Sequence, residues 1–512
     1  MEELHLTAST EPARTGIEGL DEILRGGLPR DFIYLIQGDP GSGKTTLSLQ
    51  FLIEGARQGE RCLYLTLAES RRELERVARS HKWDLTGVEI FEHPVGEEIL
   101  KKEQDTTLFH PAEVELGKTV DALLRKVDEV RPHRLVVDSL SEIRLLSQTT
   151  LRYRKQVLAL KQFFGSRNTT VLLIDDRTSE GRDIELHSVP HGVIVLERHA
   201  PIYGAARRRL EVVKLRGQDF RGGYHDFNIV AGGLAVYPRL VASEHKEMGD
   251  NLDFEGLVPG IDRMIGGGLH RGASTVVMGP AGVGKSSLVT QYAVALARRK
   301  ERVVFFVFDE SRRTLLMRSK ALGFDLQEYI DNGTMVIRQL DPAEVTPGEF
   351  AHLVRREVED NGVSMIVIDS LNGYLNAMPE ERFLTLHLHE LLSYLTEKGV
   401  ASLLVVAQHG VQGRSSGSSI DVSYLADAVI LMRFYEIRGE ILKAISILKK
   451  RSGWHDKAIR GFELVQGEGF VIGERLTRLR GILTGAPVHG DLQLVEDADD
   501  ESADESSDDD GE

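Results

Sequence analysis

Residues Gly279 to Ser287 read GPAGVGKSS, and residues Gly38 to Thr46 read GDPGSGKTT. Each fills the pattern G-x-x-x-x-G-K-[ST] completely, through Gly38, Gly41, Ser42, Gly43, Lys44 and Thr45 in one case and Gly279, Gly282, Val283, Gly284, Lys285 and Ser286 in the other. The chemistry explains the residue types: glycines let successive N–H groups turn inward on phosphate oxygens, the lysine places a cation near the terminal phosphates, and the hydroxyl ligates Mg²⁺. Each loop follows an apolar run (DFIYLIQG, ASTVVMG) and precedes a helical segment. That strand-loop-helix context, found twice, points to ATP bound with Mg²⁺ rather than to a chance match.

The repetition extends beyond the loops. A shift of 241 residues carries Lys44 onto Lys285, Gly27-Leu28 onto Gly268-Leu269, Asp21 onto Asp262, and Ala68-Glu69-Ser70 onto Asp309-Glu310-Ser311. We read two tandem domains, 1–245 and 246–487, joined through the polar stretch VASEHKEMGDNLDFEG, with an acidic disordered tail at 488–512. Within each copy, short continuously apolar strands alternate with helical patterns. The expected fold class is α/β: two tandem P-loop domains, each a mostly parallel sheet with helices on both faces.

A bound metal needs a second anchor at a strand end, and Asp138 in RLVVDS and Asp369 in MIVIDS stand there, alongside the hydroxyls of Thr45 and Ser286. Either aspartate alone could serve merely as a helix cap; their recurrence favours the metal role. Proton transfer from a nucleophile needs a further carboxylate, for which Glu69 and Glu310 at the ends of the neighbouring strands qualify. Glu310 has Asp309 beside it where Glu69 has Ala68, so the two sites are chemically unequal. Lys214 and Arg216 in VVKLRG, and Lys449 and Arg451 in LKKRSG, alternate so that each pair shares one side of a strand. Such cations usually form a solvated face; in a ring they would reach a neighbour's triphosphate.

Hydrophobic content of 41% with 28% charged residues is that of a globular protein, and no run of eighteen apolar residues or leader-like start occurs, so a cytoplasmic location without membrane attachment is expected. The single cysteine, Cys62, excludes an intrachain disulfide and reads as a buried thiol. Of the net charge of −16, eleven carboxylates lie between Glu496 and Glu512, where there is no lysine or arginine, so the remainder is only mildly acidic. A DNA-dependent recombinase or helicase would need a basic channel, whereas the body is mildly acidic and its one dense basic cluster, Arg207 to Arg209, is as well explained by a solvated hairpin. A nucleotide-binding scaffold with little turnover is the other alternative. His387 and His389 stand two apart in a helical pattern and point away from each other, which argues against a metal site there.

Taken together, these residues resemble the KaiC family of RecA-like tandem ATPases, most specifically through EIRGEILKAISILKKRSGWHDKAIRGFEL at Glu436 to Leu464. The resemblance covers roughly residues 12–487. It implies a homohexamer of two stacked rings with ATP at subunit interfaces, the first ring hydrolysing ATP and the second transferring phosphate onto its own chain. On this resemblance Lys214, Arg216, Lys449 and Arg451 contact the adjacent subunit's nucleotide. Ser423 falls on the family's phosphorylated serine, Tyr424 on its neighbouring threonine, and Ser418 on a third hydroxyl position. Tyr424 departs from the family's threonine, and Ala68 and Asp309 depart from its paired glutamates. The familiar C-terminal peptide for a KaiA-type activator is replaced by the acidic tail. The resemblance therefore implies a signalling or clock-like switch with a KaiB-like partner and without a KaiA-type one.

Overall fold

A computed structural model describes residues 11–93, 111–147, 149–177, 187–201, 204–245, 254–376, 384–408, 424–477, 479–482 and 488–489. Ser418, Ser423, the linker residues 246–253 and the acidic tail from 490 onward lie outside the described residues. The chain forms two compact units, Met1–Val241 with Asp341–Arg356, and Ala242–Leu340 with Glu357–Glu512.

In the first unit, nine strands form one sheet: β1 (Ile33–Gly38), β2 (Cys62–Thr66), β3 (Val88–Glu92), β4 (Arg134–Asp138), β5 (Thr170–Asp176), β6 (Gly192–His199), β7 (Arg207–Leu215), β8 (Tyr224–Val230) and β9 (Gly233–Tyr237). Their order is β3-β2-β4-β5-β1-β6-β7-β8-β9. From β3 to β6 every pairing is parallel, and from β6 onward it is antiparallel. The parallel strands are continuously apolar because both faces are covered. Alternate residues divide between two cores, Tyr34, Ile36, Tyr64, Val136 and Leu172 on one face and Ile33, Leu35, Leu63, Leu65, Leu135 and Leu173 on the other. Cys62 belongs to the first of these cores, and burial pushes its thiol up to about 12.

The second unit repeats the plan with β10 (Ser274–Gly279), β11 (Val303–Val307), β12 (Met335–Gln339), β13 (Met365–Asp369), β14 (Ala401–Ala407), β15 (Ala428–Ile437), β16 (Glu440–Lys450), β17 (Arg460–Val465) and β18 (Gly469–Arg475), ordered β12-β11-β13-β14-β10-β15-β16-β17-β18. Two tandem RecA-like α/β domains with mostly parallel sheets are thus the fold, as the alternating sequence pattern leads one to expect.

Register places the chemistry. Gly38 pairs with Asp176 and Thr66 with Asp138; in the second unit Gly279 pairs with Ala407 and Val307 with Asp369. The carboxyl ends of the four central strands therefore lie together in each unit, the edge at which open α/β sheets bind ligands.

Candidate functional site at the strand ends

The first loop leaves β1 and enters the helix Lys44–Arg57 through Gly43, whose φ of 105° an L side chain rarely adopts. Its first glycine is equally constrained, since a Cβ on Gly38 would lie 2.5 Å from the Leu196 carbonyl. The loop folds back so that Lys44, only 9% exposed, donates from Nζ to the carbonyls of Gly38 and Asp39 at 2.8 and 2.9 Å. The same ammonium lies 2.8 Å from Asp176 Oδ1.

Around it stand the two expected carboxylates. Asp138, 7% exposed, accepts a hydrogen bond from the buried Tyr64 hydroxyl. Burial raises the Asp138 carboxyl, and the Tyr64 bond and Lys44 oppose that rise. Glu69 is fixed by its backbone, where Thr66 Oγ1 bonds its carbonyl at 2.6 Å and its amide at 3.0 Å. Its Oε1 accepts from Thr45 Oγ1 at 3.4 Å. Burial first, and then the negative Asp138, push Glu69 up to about 7. Its Oε2 and the Ser42 hydroxyl are both buried without a hydrogen-bond partner among the described residues. An orphan acceptor and an orphan donor fit a ligand that brings phosphate oxygens for Ser42 and a water for Glu69.

The second loop has the same backbone and different company. Gly284 enters the helix Lys285–Arg298 at φ 120°, and a Cβ on Gly279 would meet the Met432 carbonyl at 2.3 Å. Lys285 Nζ donates to the Pro280 carbonyl at 2.8 Å, and burial lowers its ammonium. The place of Asp176 is taken by Ala407, and that of Tyr64, under the 241-residue shift, by Phe305. The Ser286 hydroxyl bonds Asp369, whose carboxyl burial raises. Glu310 is raised by burial too, against the opposing charge of Arg318, whose NH1 lies 3.1 Å from Glu310 Oε2. Asp309 accepts from Ser370 Oγ.

The paired cations act on their own chain in this structure. Lys214 Nζ bonds the His187 carbonyl and Arg216 NH2 the Ser188 carbonyl, at 3.0 Å. Lys449 Nζ bonds the Ala426 carbonyl at 2.8 Å and Arg451 NH2 the Tyr424 carbonyl at 2.7 Å. A β-bulge recurs just before each pair, between Val193 and Ile194 against β7 and between Val429 and Ile430 against β16. It extrudes Val213 and Leu448, both exposed, and aims the cations at the segment before the neighbouring strand. Tyr424 is 54% exposed, and it adjoins Ser423 in the chain.

Sequence reading reached the loops, Asp138, Asp369, Glu69 and Glu310, and missed Asp176, Tyr64 and Arg318. Under the 241-residue shift the sequence sets Tyr64 against Phe305 and Arg318 against Val77, an asymmetry that apolar patterning does not flag, and Asp176 falls opposite Ala407 only through strand register. Among the described residues no group of histidine, cysteine and acidic side chains forms a protein-only metal cage, and no helix is long and apolar enough to cross a membrane. A metal held by one carboxylate, one hydroxyl and ligand phosphates needs no such cage.

Comparison with known proteins bears on both units. The family model described as "ATPase: KaiC" matches residues 13–241 and again 255–477. The chain is 26% identical over 487 residues to the circadian clock oscillator protein KaiC of Synechococcus elongatus, covering 93% of this chain and 91% of that one. It is also 26% identical over 494 residues to the circadian clock protein KaiC3 of a Synechocystis species, covering 96% and 97%.

Proposed function

The chain belongs to the KaiC family of ATPases, and from that premise we propose that it binds ATP with Mg²⁺ at both phosphate loops, hydrolyses it at the first, and transfers phosphate to its own chain at the second. Lys44 and Lys285 are assigned to the terminal phosphates, Thr45 with Asp138 and Ser286 with Asp369 to the metal, and Glu69 and Glu310 to the nucleophile. The observation that carries this reading is the recurrence, in both units, of a buried loop lysine beside one buried strand-end aspartate and one half-buried glutamate whose pKa burial raises.

In hydrolysis Glu69 takes a proton from water as the water oxygen bonds the γ-phosphorus, and the bond from that phosphorus to the bridging oxygen breaks with its electron pair going to ADP. The metal, when bound, neutralises charge on the β- and γ-phosphate oxygens. In the second unit the nucleophile is a hydroxyl, that of Ser423 first and Tyr424 second, so that ADP and a phosphoester replace ADP and free phosphate.

The proposed assembly is a homohexamer in which Lys214, Arg216, Lys449 and Arg451 can exchange their own-chain carbonyls for a neighbour's nucleotide. Such a ring would act in the cytoplasm as a signalling or clock-like switch read by a KaiB-like partner. Incubation with γ-labelled ATP and Mg²⁺ tests the reading: label should enter residues 246–487, and Ser423→Ala should remove most of it. Labelling of Ser423→Ala equal to that of the parent would rule out Ser423 as acceptor, and native mass after the same incubation reports the ring.

A further inference from the structure

The two candidate bases keep different company. Glu69 has a hydroxyl partner on one oxygen and, among the described residues, no hydrogen-bond partner on the other, which is buried. Glu310 has a guanidinium on it, with Arg318 NH1 at 3.1 Å and the two side chains 30% and 20% exposed. Arg318 comes from the helix Arg312–Ala321, seven positions beyond its capping Ser311. At the same place in the helix Arg71–Ser80, capped by Ser70, the first unit has Val77, which packs on the hydrophobic core. One position in a repeated helix has thus exchanged a core contact for a charge that enters the site. That charge is committed there: Nε and NH2 of Arg318 are buried without a hydrogen-bond partner among the described residues, and its field reaches Asp369 as well.

A carboxylate that accepts water's proton must offer a free lone pair of adequate basicity. A charge-assisted bond to arginine occupies one oxygen, fixes the plane of the carboxylate and weakens it as a base. We propose that Arg318 is a positioning residue that brakes ATP hydrolysis at the second site by holding Glu310, so that this site remains loaded with intact ATP longer than the first. The proposal deepens the assignment of Glu310 made above and rests on it. The braked step is the one already balanced for Glu69: proton from water to carboxylate, a new oxygen-phosphorus bond, and ADP leaving with the electron pair. Because Glu310 is also the group assigned to the chain's hydroxyl, the same hold slows both transfers, and the site keeps its γ-phosphoryl longer.

The full-length protein carrying Glu69→Gln isolates the second site, with phosphate release measured against ATP concentration. Adding Arg318→Val, the first unit's residue, or Arg318→Gln should raise kcat by about fivefold or more with KM for ATP unchanged, a modest part of what a general base contributes. Arg318→Lys keeps a cation on Glu310 and should stay within about twofold of the Glu69→Gln parent, since an ammonium still engages the carboxylate. An unchanged or lower kcat in both Arg318→Val and Arg318→Gln overturns the brake; a fall would mean that the guanidinium serves the phosphates instead. The Glu69→Gln/Glu310→Gln protein separates the two levels. Residual hydrolysis undiminished there would overturn the role of Glu310 and the brake with it, whereas its loss alongside inert Arg318 variants would overturn the brake alone.

Discussion

Lys44 and Asp176 form an ion pair at 2.8 Å in the first unit, and the second unit cannot make it because Ala407 stands where Asp176 does. The pair joins the last residue of β5 to the loop that leaves β1, two strands hydrogen-bonded along their whole length. The lysine proposed for the terminal phosphates is therefore already matched by a carboxylate of its own domain, one that is 41% exposed and whose Oδ2 accepts from Ser141 Oγ at 3.2 Å. A phosphate entering the loop has to compete with it.

Asp176→Ala removes that competitor and one negative charge from the loop. ATP binding at the first site should tighten by about two- to fivefold, the modest size fitting a pair whose acidic member is partly solvated. Calorimetric titration of the full chain with the second loop disabled by Lys285→Ala measures it. An unchanged Kd would show that the Lys44–Asp176 contact does not oppose nucleotide.

Glu69 sets the pH dependence of the first site. Its folded value, pushed up to about 7 by burial and by Asp138, means that the carboxyl is protonated below that pH and cannot accept a proton from water. First-site phosphate release, measured with Glu310→Gln in place, should rise with pH through about 7 and level off above it. Glu69→Gln should abolish both the rate and its slope; a rate in the Glu310→Gln protein that is flat from pH 5.5 to 8.5 would remove Glu69 as the base.

How much of this was legible in the sequence follows from what each feature depends on. The loops, Asp138 and Asp369 are set by local order along the chain: an apolar strand, a carboxylate at its end, glycines where the backbone must turn. Period and punctuation reveal such features, and the mostly parallel sheet follows from strands too apolar to have a solvated face. The contacts that distinguish the units depend on register. Asp176 meets Lys44 only because β5 pairs with β1 so that its last residue lies opposite Gly38, across 132 residues of chain. The bulges before Lys214 and Lys449 are one-residue irregularities that no alternation of residue types marks. Tyr64 and Phe305 are equally apolar to a pattern, yet only the former carries a hydroxyl to a buried aspartate.

Arg134 was equally unreadable, and it carries a prediction about stability. In the sequence it merely begins the strand RLVVD; in the fold it is completely buried. Its Nε bonds Glu60 Oε2 at 2.5 Å, its NH1 the carbonyls of Arg14 and Phe51, and its NH2 the Gln58 side chain, while the guanidinium lies 4.8 Å from the Phe51 ring centre. The second unit has Met365 in this place, so a methionine is compatible with the sheet. Arg134→Met should nevertheless cost the first unit about 3 kcal/mol, because it removes the arginine's bonds to the Arg14 carbonyl and to the helical Phe51 carbonyl and leaves Glu60 with Arg30 alone. The sign of its pH dependence follows from Glu60. Burial raises that carboxyl, but the hydrogen bonds and charges of Arg134 and Arg30 more than offset it, so the folded value lies below the ordinary one. That stabilisation is present above the ordinary carboxylate range and fades as the pH falls through the folded value. Denaturant unfolding should therefore find the penalty of Arg134→Met larger at pH 7 than at pH 4, and an equal penalty at both would place the loss in the bonds to the carbonyls rather than in the ion pair.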